Sequence, residues 1–83
     1  MIDLNRATEA TEEVKEALSD QYEYHAWTPE KVDQGKRVRR ALEDAALAII
    51  ENVPPGPDRS VALRKLREAR MDANSAITHG GKY

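Results

Sequence analysis

At 83 residues with no cysteine, the chain has room for one small domain and no disulfide to hold it together. A monomer of this size hides only about 60% of the surface its unfolded chain exposes, so oligomerisation is the remaining way to stabilise it. Thirteen Lys and Arg against fifteen Asp and Glu give a net charge of −2, which argues against a dedicated binder of DNA or RNA duplexes but leaves a small anionic ligand open.

Gly and Pro divide the chain into three helical pieces, all within one domain spanning 1–83. The first, Ala7 to Leu18 within an N-terminal region 1–27, is rich in Glu, Ala and Lys and carries a thin apolar stripe of Val14 and Leu18. Ser19 to Trp27 then breaks the pattern and holds three of the four aromatic residues, Tyr22, Tyr24 and Trp27, with His25 between them. Thr28-Pro29-Glu30 is an explicit helix start: a hydroxyl to accept a backbone N–H, a proline to preset the first turn, and a carboxylate at the positive end of the dipole.

The second helix, 28–53, places Val38, Leu42, Ala45 and Ile49 on one face and Ala46, Ile50 and Val53 on another. Gly35 is its weak interior position, about 1 kcal/mol poorer than Ala. Three prolines in Asn52-Val53-Pro54-Pro55-Gly56-Pro57 force a reversal, and a third helix, 58–79, carries Ala62, Leu63, Leu66, Ala69, Ala73 and Ile77 at helical spacing. Gly80 and Gly81 suit its end, and Lys82-Tyr83 forms a short tail. The fold class expected is all-α, a short N-terminal helix followed by a long antiparallel αα-hairpin. Because the second helix is apolar on more than one seam, the surplus of Ala46, Leu47, Ile50 and Val53 is expected to pack against other copies or the N-terminal helix, and the expectation is a homo-oligomer.

No secretory signal precedes the first helix, and the longest apolar run, Ala45 to Ile50, is far short of the roughly 20 residues of a membrane span, so the expectation is a cytoplasmic protein without a membrane partner. Catalytic constellations are missing too. Ser19, Ser60 and Ser75 sit in no nucleophile motif, no glycine-rich loop precedes a helix, and Glu12-Glu13 and Glu43-Asp44 are adjacent pairs that diverge on a helix. Two histidines without cysteine would need carboxylates to complete a zinc site, so composition points to no metal and no cofactor. The expectation is a protein that is not an enzyme.

The positive signal is Lys36-Arg37-Val38-Arg39-Arg40, four cations in five positions. Paired with Asp33, Glu43 and Glu30 they would make an ordinary solvated face. Just ahead of them stand Tyr22, Tyr24, His25 and Trp27. Aromatic faces stack on bases and guanidiniums bind phosphates, so the combination suits a nucleotide, whereas on their own the rings would cover the hairpin's open end. His25 by itself reads as a hydrogen-bonding residue flanking the helix.

The stretch Tyr24-His25-Ala26-Trp27-Thr28-Pro29-Glu30, the turn Glu51-Asn52-Val53-Pro54-Pro55, the run Arg59 to Ala69 and then Ala73-Asn74-Ser75-Ala76-Ile77 together resemble the phage hairpin domain shared by anti-CBASS and anti-Thoeris sponge proteins. The resemblance implies a phage protein of the host cytoplasm that sequesters cyclic oligonucleotides without cleaving them. It further implies a homohexamer with cyclic dinucleotide pockets between protomers and, in some members, separate pockets for cyclic trinucleotides. It places a base-stacking ring at Tyr24 and a phosphate or guanine contact at Arg39, with His25, Lys36 and Arg40 as further candidates and a second pocket around His79. Two positions depart from the family pattern: Asp72, where an aromatic residue is common, and Gly35, where a bulkier one is common. Competing expectations are binding of a cyclic ADP-ribose signal, a protein-binding helical module and, last, a cyclic-nucleotide hydrolase.

Overall fold

A computed structural model of the chain describes residues 2–83, whose regular structure is entirely helical, with no strand among them. A single 3₁₀ turn, Leu4–Arg6, is capped by Asp3, whose carboxylate accepts the Asn5 N–H at 3.0 Å. Three α-helices follow: α1 (Glu12–Tyr22), α2 (Pro29–Asn52) and α3 (Pro57–His79). None of them is long and apolar enough to cross a membrane.

Helix α1 starts and ends later than the 7–18 expected from composition. Thr11 is the reason for the start, because its Oγ1 accepts the Val14 N–H at 3.2 Å while Glu12 and Glu13 occupy the favourable first turn. At the other end the helix continues through Ser19 and Tyr22, closing where Glu23 N–H donates to the Ser19 carbonyl at 2.9 Å. Tyr22 therefore belongs to α1, and the irregular aromatic segment is only six residues long, 23–28.

Thr28 caps α2, its Oγ1 accepting the Lys31 N–H at 3.2 Å with Pro29 in the first turn. Helix α3 begins at Pro57 and ends in left-handed Gly80, φ 62°, whose N–H reaches back to the last turn. The antiparallel arrangement of α2 and α3 is set by the short turn between them and sealed at the far end, where Lys31 Nζ donates to the Thr78 carbonyl at 3.1 Å. That ammonium also neutralises the negative end of the α3 dipole.

The molecule is thin, with principal extents of 50 × 33 × 17 Å and a radius of gyration of 16.8 Å against the roughly 12 Å of a compact domain of this length. Its accessible surface is 6805 Å², where a compact monomer of this mass would show about 5,000 Å². Of the described residues only Val14 and Gly35 are buried, and Val38, Leu42, Ala45 and Ile49 on α2 remain half-covered by α3. Leu47 and Ile50, on the surplus apolar face, are 53% and 47% exposed. One seam between two helices encloses too little volume for a closed core.

Candidate ligand-binding site

The open end of the hairpin is organised by one indole. Trp27 lies over Gly35, so close that a Cβ built on that glycine would sit 2.3 Å from the ring's Cζ3 and 2.7 Å from Cη2. Its Nε1–H donates to Thr78 Oγ1 at 2.7 Å. The ring thus bridges α2 and the last turn of α3, and the glycine that weakens the helix intrinsically is the notch that admits it. This anchor fixes where the preceding residues, Tyr24 and His25, leave the fold.

Beside it is an open hollow of about 640 Å³, in the size range of small-molecule sites, with Tyr24, His25, Trp27, Val32, Thr78 and His79 in its lining. Tyr24 is 91% exposed and Tyr22 84% exposed. Neither covers the hairpin's end; Trp27 alone does that. His25 Nε2 is 2.7 Å from the Asp20 carbonyl, a hydrogen bond that holds the ring against the end of α1. The His79 ring stands edge-on to both His25 and Tyr83, with centroids 5.0 Å apart in each case, and its side chain is only 7% exposed.

Lys82 and Tyr83 are not a loose tail. Tyr83 donates its hydroxyl proton to Asp20 Oδ2 at 2.6 Å, and Lys82 Nζ stands 3.1 Å from the same oxygen. The Tyr83 hydroxyl and the Lys82 ammonium hold the Asp20 carboxyl below its ordinary range, and Asp20 in turn raises both Lys82 and Tyr83. The pair docks the end of the chain against the end of α1.

The basic stretch of α2 behaves differently from a fully paired solvated face. Arg37 pairs with Asp33 at 3.1 Å, but among the described residues Lys36, Arg39 and Arg40 have no carboxylate within 4.0 Å. Arg39 lines a second groove, about 250 Å³, together with Arg67 and Arg70 of α3 and the apolar Leu42, Leu63 and Leu66. Three guanidiniums over an apolar floor, with Glu43 as the acidic residue in the lining, can hold an anion whose other parts are flat and poorly hydrated. Lys36 and Arg40 line neither concavity.

Of the six residues singled out from sequence, the structure brings Tyr24, His25 and His79 into one hollow and puts Arg39 in another. On α2 the nearest residues of the two linings, Val32 and Arg39, stand about 10 Å apart along the helix axis. Sequence reading missed Arg67 and Arg70, although their three-residue spacing on α3 marks a common face. It also missed the Trp27 anchor and Asp20, which depend on contacts between distant parts of the chain.

Comparison with curated proteins and with solved structures gives no match. The family described as "Acb2/Tad1, hairpin domain" matches residues 18–78, from the last turns of α1 through the hairpin to Thr78. Those residues include the aromatic segment, the Trp27 notch and both arginine-bearing helix faces, and on that match the chain belongs to the Acb2/Tad1 hairpin family, sponges that bind cyclic nucleotide signals rather than cleave them.

Proposed function

We propose that the chain is a phage anti-CBASS sponge that acts in the host cytoplasm as a homo-oligomer, a hexamer as the family resemblance implies. It sequesters cyclic dinucleotides such as cyclic GMP-AMP without turnover, so that the immune effector never receives its signal. The observation that carries this reading is Tyr24, an aromatic ring left 91% exposed at the mouth of a hollow in a chain of that family. An exposed ring held by an anchored neighbour is a stacking platform, and base stacking contributes about 1–3 kcal/mol per base.

Arg39 supplies the phosphate contact. Tyr24 and Arg39 line different concavities of one chain, and a cyclic dinucleotide seated where two copies adjoin meets Tyr24 of one and Arg39 of the other. A two-fold axis through the ligand then presents each residue twice. Lys36 and Arg40, unpaired on the same helix, add positive potential around that seam, and His25 braces the segment that carries Tyr24. The apolar surface at Leu47 and Ile50 is the chemistry that drives such assembly.

A second pocket at His79, for a cyclic trinucleotide, requires the tail to move, because Tyr83 covers that ring. Calorimetry with cyclic GMP-AMP, a cyclic trinucleotide, a cyclic ADP-ribose and linear dinucleotides tests the reading. Heat with the cyclic dinucleotide and recovery of the intact ligand after denaturation support it. Heat only with the cyclic ADP-ribose moves the assignment to Thoeris signals, cleaved ligand makes the protein a hydrolase, and silence with all nucleotides leaves a protein-binding module.

A further inference from the structure

The two histidines of this chain are 54 positions apart in sequence, yet both meet Asp20. Asp20 lies in α1's last turn, His25 sits on the irregular segment, and His79 closes α3, so three separate parts of the fold converge. One ligating atom from each lies within 4.8 Å of the others. We propose that Asp20, His25 and His79 form a binding site for a borderline divalent transition-metal ion of the zinc class.

The donor set fits that class. Two imidazoles and one carboxylate suit Zn²⁺, Co²⁺ or Ni²⁺, whereas Mg²⁺ and Ca²⁺ require oxygen-rich sites. Tetrahedral zinc at bond lengths of roughly 2.0–2.1 Å spaces its ligands a little over 3 Å apart, so donors that already lie within 4.8 Å of one another draw together by at most about 1.5 Å on binding. The His79 side chain is 93% covered, and among the described residues its ring takes part in no hydrogen bond; its nearest charged neighbour is Asp20 Oδ2, 4.0 Å from Nδ1. No buried side-chain nitrogen among the described residues lacks a partner, so the His79 ring nitrogens still reach solvent and are open to an ion beside the Asp20 carboxylate. His25 Nε2–H donates to the Asp20 carbonyl at 2.7 Å, and the same nitrogen lies 3.9 Å from Asp20 Oδ1, so ligation through Nε2 exchanges that hydrogen bond for a metal bond.

The place the ion would take is held by a cation already. Lys82 Nζ stands 3.1 Å from Asp20 Oδ2, with the Tyr83 hydroxyl 2.6 Å from the same atom. An incoming ion exchanges with that ammonium, and Tyr83 or water completes the coordination. Binding would therefore clasp α1, the aromatic segment and the end of α3 together, and it does not depend on any nucleotide.

The untagged full chain, stripped with chelator, is titrated with Co²⁺ and then with Zn²⁺. The expected result is one ion per chain, a visible ligand-field band of four-coordinate Co²⁺ that Zn²⁺ bleaches, and a rise in melting temperature with Zn²⁺. His25→Gln and His79→Gln should each weaken binding by about tenfold or more, with circular dichroism showing the helices intact. Lys82→Met, which removes the competing cation, should tighten binding severalfold, a gain that misfolding cannot mimic. Absence of binding by the wild-type chain, wild-type affinity in both folded histidine variants, or no gain in Lys82→Met overturns the assignment.

Discussion

Replacing Gly35 by Ala puts two effects in opposition at one position. Alanine in a helix interior gains about 1 kcal/mol over glycine. Against that, the new Cβ would fall 2.3 Å from Trp27 Cζ3, more than 1 Å inside ordinary carbon contact, so the ring must leave its notch. Leaving breaks the Nε1 bond to Thr78, a loss of about 1 kcal/mol, and returns to water about half of the roughly 200 Å² an indole buries, about 2.5 kcal/mol more. The net is a destabilisation of about 2–3 kcal/mol, a fall in melting temperature on the order of 10–20 °C for a domain this small. Thermal unfolding at fixed protein concentration measures it, and because Trp27 is the chain's single tryptophan, a red shift of its emission reports the ejected ring directly. The sign should reverse in a Trp27→Ala background, where Gly35→Ala meets no ring and stabilises by the propensity gain alone. A more stable Gly35→Ala protein with unshifted emission would refute the anchor.

Tyr24→Ala and Arg39→Ala should each abolish measurable cyclic dinucleotide heat while leaving the sedimenting mass unchanged; unaltered affinity in both removes the site assignment. Arg67→Ala, on the same groove as Arg39, should weaken nucleotide binding less than Arg39→Ala if the groove extends the ligand seam, which competition calorimetry would read. Thr28→Ala should lose about 1 kcal/mol by removing the acceptor for the Lys31 N–H, seen as a lower denaturation midpoint with an unchanged slope.

Much of the fold is written in local signals. Thr28-Pro29-Glu30 opens α2 because cap, proline and acid act within one turn, and Gly80 ends α3 because glycine takes the left-handed conformation without strain. The start of α1 was written as well, in Thr11-Glu12-Glu13, but composition draws a reader to the Ala- and Glu-rich residues before it. What local signals do not carry is register between helices. Trp27 needs Thr78, Asp20 needs Tyr83, and Arg39 needs Arg67 and Arg70, pairings that exist only once α2 and α3 are laid side by side. Gly35 looks like a defect from sequence alone and becomes a socket only when the ring above it is known.

The surface left by this register bears on how many copies assemble. The chain exposes roughly 1,800 Å² more than a compact protein of its mass, and a standard interface covers about 800 Å² per partner. A simple dimer would cover less than half of the excess, whereas two neighbours per protomer would cover most of it. Closed arrangements of three or more copies, or two layers of such rings, meet that requirement, and each adds a seam at which Tyr24 of one copy can approach Arg39 of another. Equilibrium sedimentation should therefore find a species heavier than a dimer, and Ile50→Glu, which places a charge on the 47% exposed apolar face, should lighten it and abolish nucleotide binding together. A folded wild-type monomer at low micromolar concentration, or a monomeric Ile50→Glu protein that still binds tightly, would show that the ligand site is complete within one chain.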